Sequence, residues 1–184
     1  ALALLKANRN HVFVGPAVAW EITFLKHYQS FGFETGSPEH EGYAAELEAT
    51  QASVKRMREA GIRVLVGGDY GLNITPHGTY AKELQDFTDY FGFSPGEALQ
   101  AATKHGGEAF MPDGSLGTLE AGKIADMVIV KGNPLEQIGV LQDADAIAAV
   151  IKEGQIYTGL LDNQSPHQKN AEQLNQLLGA RPCN

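Results

Sequence analysis

Residues 64–71 have the sequence VLVGGDYG, and after a short loop PHG follows at residues 76–78. An apolar run of strand length that ends at two glycines and an acid is typical of a buried parallel strand. In α/β enzymes such strands present catalytic side chains at the end of the sheet where the chemistry takes place. The stretch therefore predicts an α/β fold with the carboxylate of Asp69 at that edge.

Helices and strands alternate around this stretch. Strands are predicted at residues 11–14 and 62–66. Helices are predicted at about 44–60 and 80–91, where apolar side chains recur on one face. SPGE at residues 94–97 combines an N-cap serine, a proline and a capping-box glutamate, so it predicts the start of another helix. This order of elements is typical of a βα barrel or a doubly wound sheet.

The connection between the first strand and the helix at 44–60 is about thirty residues long, which is unusual inside a compact domain. Residues 20–28 have a helical pattern, and residues 32–42 are rich in Gly, Ser and Pro. Long connections of this kind often serve as lids or binding loops. We therefore predict that this connection forms a lid or a binding loop.

After residue 110 the pattern changes to short β-like segments separated by turn residues. The segments are 115–119, 127–130, 146–152 and 155–157. Three parts are thus predicted: an α/β part at 1–110, a small β domain at 111–160, and a polar tail at 161–184 with a candidate helix around 171–178.

Composition limits the classes of partner. The net charge of −8 and the lack of a Lys/Arg cluster argue against nucleic-acid and anionic-membrane surfaces. No apolar run approaches the roughly 20 residues that span a bilayer, so a soluble chain is predicted. The single cysteine, Cys183, allows no intrachain disulfide, which fits a reducing, cytoplasmic compartment. Small-molecule and protein partners remain.

The first residues have the pattern of a helix end. Residues 1–6, ALALLK, are followed almost at once by the strand at 11–14. The chain therefore enters in the middle of a βα repeat. We expect a truncated protein.

Two sets of motifs resemble a known family. GTLEAGKIADMVIV at residues 117–130, NPL at 133–135 and VIKEG at 150–154 resemble the C-terminal signature of the metal-dependent amidohydrolase superfamily. GDYG at 68–71, together with the PHG motif, resembles that family's eighth barrel strand, in the branch of imidazolonepropionase-like and Xaa-Pro dipeptidase-like enzymes. The likeness extends from residue 11 to about residue 158.

The resemblance implies a fold and a function. The family fold is a TIM barrel plus a β-sandwich built from both chain ends, so this chain would supply barrel strands seven and eight and the later sandwich strands. The implied activity is metal-dependent hydrolysis of an amide, peptide-like or cyclic amide C–N bond in a small-molecule substrate. Zinc is the divalent ion that the resemblance implies first.

The family's metal ligands are a His-x-His after the first strand, a carboxylated Lys or a Glu on the fourth, single His residues on the fifth and sixth, and the Asp at the end of strand eight. Only that Asp has a counterpart, Asp69. The six histidines are isolated from one another. Most metal ligands are therefore expected outside this chain, and the expected partners are a missing N-terminal barrel segment or other copies of the chain.

Asp69 has two alternative roles. As a turn residue or helix cap it would accept backbone N–H hydrogen bonds, as aspartates after strands often do. As a metal ligand and general acid/base it would take a proton from the attacking water and return it to the leaving nitrogen. The flanking glycines and the downstream signature favour the catalytic role.

Four further residues are candidates for substrate contact. His77 and Tyr70 lie in the loop after the predicted strand, and Tyr28 and His40 lie in the long connection before residue 44. The structural alternatives are a helix cap for His77 and amphipathic surface positions for the others.

Two rival functions remain open. The chain could be a non-catalytic truncated product or a subunit that contributes a barrel segment to an assembly. The glycine pairs at 67–68 and 106–107 could instead indicate a phosphate-binding TIM-type enzyme, although no Lys, Ser or Arg directly follows them.

Overall fold

The chain alternates helices and strands up to residue 110 and continues as an antiparallel sheet. The computed structural model describes residues 1–159, so the predicted tail at 161–184 and its candidate helix lie outside the described residues. The helices are α1 Leu2–Ala7, α2 Ala19–His27, α3 Pro38–Glu59, α4 Lys82–Phe91, α5 Pro95–Gln100 and α6 Gly106–Phe110. The strands are β1 Phe13–Val14, β2 Arg63–Val64, β3 Met127–Val130, β4 Ile147–Lys152 and β5 Gln155–Gly159.

The two predicted strands of the α/β part are neighbours. β1 and β2 pair in parallel, with Phe13 opposite Arg63 and Val14 opposite Val64. The N–H of Leu65 adds one more hydrogen bond, to the carbonyl of Val14 at 2.8 Å. Within residues 1–159 these strands pair only with each other, so their outer edges have no partner strand.

The start of α3 differs from the prediction. The helix begins at Pro38, about six residues before the predicted start, because the Ser37 side chain accepts a hydrogen bond from the His40 N–H and Pro38 occupies the first turn. The last part of the predicted connection, from residue 38 onward, is therefore helix and not loop. A short 3₁₀ helix at Tyr28–Phe31 also shortens the connection.

The core lies between α2, α3 and α4. Val18 and Ile22 meet Val54 of α3 and Phe87 of α4 there, and all four are almost fully buried. The ring of Phe87 lies 5.0 Å from the ring of Phe93, between centroids. α4 thus lies next to the segment that follows β2, where Gly68 is close to Glu83 of α4.

The helix predicted at SPGE is confirmed, with both hydrogen bonds of the capping box present at Ser94 and Glu97. It continues beyond α5 through a π-helical turn, Ala101–His105, into α6.

The remaining part is a three-stranded sheet, in which β4 pairs with β3 on one side and with β5 on the other, both antiparallel. The prediction of a strand at 115–119 is wrong. Gly117 has φ +98 and lies against the backbone of Thr103 and Gly107, and this close approach to the helix is incompatible with an extended strand. Asp126 lies directly before β3, and its Oδ1 accepts the N–H of Glu153 at 2.8 Å.

None of the helices described between residues 1 and 159 is long and apolar enough to cross a bilayer.

Candidate active site

Asp69 lies in the segment that follows β2, beyond the last hydrogen bond to β1. Its side chain is exposed, and it is its backbone carbonyl that accepts a hydrogen bond, from Thr75 Oγ1 at 2.8 Å. The Gly71 N–H donates to the Thr75 carbonyl, also at 2.8 Å. These two hydrogen bonds, one from a side chain and one from the backbone, hold the loop after the strand together. They leave the Asp69 carboxylate accessible.

A cavity of about 600 Å³ opens beside this segment. Its walls come from the end of β2, the following loop and the first turn of α4, with one residue from the π-helical turn. The lining residues are Val66, Gly67, Gly68, Asp69, Tyr70, His77, Tyr80, Ala81, Glu83, Leu84 and Ala102. Three of the sequence-predicted site residues, Asp69, Tyr70 and His77, therefore meet at one cavity.

Aromatic rings form one side of the cavity. Tyr70 and Tyr80 meet edge to face with centroids 4.7 Å apart. His77 Nδ1 is hydrogen-bonded to the Tyr80 hydroxyl at 2.7 Å. A Cβ at Gly71 would lie 3.0 Å from His77 Nε2, so only glycine leaves room for the ring there. The arrangement fixes the His77 ring and offers an apolar surface to a ligand.

Tyr28 and His40 do not line this cavity. Their rings contact each other with centroids 4.3 Å apart. The Tyr28 hydroxyl is hydrogen-bonded to Thr35 Oγ1 at 2.6 Å, and His40 Nδ1 accepts the Gly36 N–H at 3.4 Å. These contacts hold the turn that leads into α3, and substrate contact by either residue stays a prediction.

Sequence analysis missed Glu83, in the first turn of α4. It is 1% exposed, and its Oε2 accepts a hydrogen bond from the Tyr70 hydroxyl at 3.3 Å. Burial raises the pKa of the Glu83 carboxyl to about 7, against the opposing effect of the Tyr70 hydrogen bond and of the nearby Gly67 and Gly68 amides. Its spacing was a usable signal, because positions 83, 87 and 91 repeat every four residues and Phe87 and Phe91 are core residues.

Burial also raises the pKa of the Tyr70 phenol, and the nearby Glu83 carboxylate raises it further. The phenol is therefore neutral and acts as a hydrogen-bond donor at physiological pH.

The described residues do not complete a metal site. Between residues 1 and 159 no group of three or more His, Cys, Asp and Glu side chains converges. A stable zinc site needs three or four ligands. Asp69 offers one accessible carboxylate, so the donor set of residues 1–159 does not fit a metal ion by itself.

Comparison with known proteins gives a consistent result. The sequence model described as Amidohydrolase family matches residues 12–157. Ochratoxinase from Aspergillus niger is 35% identical over 114 residues, which are 61% of this chain and 22% of that protein. Imidazolonepropionase from Symbiobacterium thermophilum is 31% identical over 110 residues, which are 60% of this chain and 26% of that protein. The chain thus spans about a quarter of the length of these curated relatives.

Solved structures share the fold. The crystal structure of A. niger ochratoxinase superposes with a TM-score of 0.73 at 24% identity, covering 90% of this chain and 37% of that chain. A prolidase complexed with N-methylphosphonate-L-proline gives a TM-score of 0.67 at 28% identity, covering 86% and 38%.

Proposed function

This chain belongs to the amidohydrolase family, and we propose that it forms part of a metal-dependent hydrolase that cleaves an amide, peptide-like or cyclic amide C–N bond. The observation that carries the proposal is the position of Asp69, whose accessible carboxylate lies in the segment that follows β2 and lines the cavity. The similarity to ochratoxinase and imidazolonepropionase supports the reaction class.

In the proposed reaction Asp69 moves the proton. Its carboxylate accepts a proton from the water that attacks the carbonyl carbon and then donates that proton to the leaving nitrogen. An aspartate suits both steps because its short side chain holds the carboxylate within hydrogen-bond reach of the water and of the leaving nitrogen. Tyr70, His77 and Tyr80 bind the apolar part of the substrate at the side of the cavity.

A divalent ion, zinc in this proposal, supplies Lewis acidity and lowers the pKa of water when bound. Asp69 contributes one ligand, and the others come from outside the described residues. We expect the isolated 184-residue chain to bind less than one equivalent of zinc. Metal analysis after desalting checks this. A stoichiometric, tightly held zinc ion would contradict the proposal that most ligands come from outside the described residues.

We further propose that β1 and β2 are barrel strands seven and eight and that β3, β4 and β5 belong to the sandwich domain. The open outer edges of the β1–β2 pair support this, since unpaired edges need neighbours. The neighbours would be strands of an N-terminal barrel segment of the same gene product or of other copies of the chain. Light scattering of the isolated chain should show association or poor solubility, and a cooperative monomer would contradict the barrel assignment.

The activity is tested with the full-length gene product. N-acyl amino acids, Xaa-Pro dipeptides and a cyclic imidazolone amide are supplied as substrates, before and after metal chelation. We expect turnover of at least one class, its loss on chelation and its return with zinc. Absence of amide hydrolysis in the metal-loaded protein would contradict the proposal and favour a non-catalytic subunit.

A further inference from the structure

Glu83 is an unusual core residue. It is one of the largest fully buried side chains of the described part, yet it is an acid. Its Oε1 is buried without a hydrogen-bond partner among those residues. Burying a carboxyl group without a cation is costly, and an apolar side chain of similar size would stabilise the core more. Such a residue needs a reason beyond packing.

Asp86, on the same helix, is a buried acid whose charge is compensated by ion pairs. It is 2% exposed, and its two oxygens meet Lys26 Nζ at 3.4 Å and Lys82 Nζ at 2.6 Å. These two lysines compensate the buried charge. Glu83 forms no ion pair within residues 1–159, and its contacts are with the segment that carries Asp69.

The contacts of Glu83 lie on both sides of Asp69. Before it, the amides of Gly67 and Gly68 lie near the Glu83 carboxyl and lower its pKa. After it, the Tyr70 hydroxyl donates to Glu83 Oε2. The fit is tight, because a Cβ at Gly68 would lie 3.2 Å from Glu83 Oε2 and 2.8 Å from Ala19 Cβ.

We propose that Glu83 of α4 is a positioning residue. It holds the Gly67–Tyr70 segment in place and so fixes the direction of the Asp69 carboxylate. Beyond Leu65 this segment has no strand pairing within residues 1–159. Glu83 replaces that pairing with an acceptor for the Tyr70 hydroxyl and with close contact at Gly68. Its consequence for catalysis rests on the proposed function of Asp69, whereas its hold on the segment does not.

The test compares three variants of the full-length protein. Glu83→Met removes the acceptor and keeps the volume, and Glu83→Gln keeps an acceptor oxygen. Asp86→Asn is the matched control, a buried acid on the same helix that does not contact the segment. Hydrogen exchange of the amides in residues 65–70 is measured by mass spectrometry, with kcat and KM on the same samples.

We expect Glu83→Met to speed exchange in the segment about tenfold or more and to lower kcat about 10- to 100-fold at similar KM, since a small misplacement of a catalytic group has that effect. Glu83→Gln should retain most of the kcat and the slow exchange. Asp86→Asn should leave exchange in the segment and kcat unchanged. If Glu83→Met fails to fold, Tyr70→Phe, which removes the hydroxyl that donates to Glu83, should speed exchange to a smaller extent.

Unchanged exchange in Glu83→Met, or equal loss of kcat in Glu83→Met and Glu83→Gln, would overturn the positioning role. If the wild type hydrolyses no amide, the proposed function fails, while the exchange rates still decide what Glu83 does.

Discussion

The end of β2 and the sheet β3-β4-β5 hold their backbones by different means. In the sheet, strands of 4, 6 and 5 residues pair along their length. At β2 only 2 residues pair as a strand, and the chain beyond is held by side chains such as Glu83 and Thr75. The backbone of the sheet is therefore held by strand pairing, whereas the geometry at Asp69 depends on a few polar groups.

This difference predicts that changes in the sheet lower stability and changes at the strand end lower activity. Ile151 of β4 is 7% exposed, so Ile151→Ala should lower the free energy of unfolding by about 2–5 kcal/mol. The kcat per folded molecule should stay near that of the wild type. Chemical denaturation checks the first result, with Val128→Ala, at a 55% exposed position of β3, as the mild control.

The next largest effect is expected at the glycine pair. A Cβ at Gly68 would lie 2.8 Å from both Ala19 Cβ and Tyr70 Cε2, whereas a Cβ at Gly67 would meet nothing within 4 Å. Gly68→Ala should therefore displace the segment and lower kcat about 10- to 100-fold, and Gly67→Ala should not. Steady-state kinetics of the two variants checks this, and equal values would show that the segment tolerates the shift.

The smallest effect is a pH dependence of stability. The pKa of Glu83 is raised from 4.5 to about 7 in the folded protein, so folding takes up a proton between these values. The contribution of Glu83 to stability is therefore greatest in acid and is lost as the pH rises through 7. Relative to wild type, Glu83→Gln should gain about 1–3 kcal/mol between pH 5 and pH 8. If unfolding curves give the same stability difference between Glu83→Gln and wild type at both pH values, Glu83 is not protonated on folding.

Local signals predicted most of the fold. The β1 and β2 strands, the capping box at Ser94 and the three strands of the sheet follow from residue patterns within a few positions. The strand predicted at 115–119 failed because Gly117 packs against a helix distant in sequence. The early start of α3 was present in the sequence as Ser37-Pro38 but was assigned to a loop.

The candidate site was predictable only in part. Asp69, Tyr70 and His77 follow one strand, so sequence order alone brings them to one edge. Tyr28 and His40 also lie in a predicted loop region. The 3₁₀ turn and the cap at Ser37 place their rings in contact with each other instead of at the cavity. The spacing of Glu83 from Phe87 and Phe91 indicates that it faces the core, but its hydrogen bond with Tyr70 depends on how α4 packs against the segment after β2, which no local pattern specifies.

The central claim is that Asp69 transfers the proton in amide hydrolysis, and the most direct measurement is the kcat of Asp69→Asn in the metal-loaded full-length protein. The substitution keeps the size of the exposed side chain and removes its basicity. We predict a loss of about 10²- to 10⁴-fold in kcat with an unchanged unfolding midpoint. Turnover near that of the wild type on any substrate the parent hydrolyses would contradict the account and return Asp69 to a structural role.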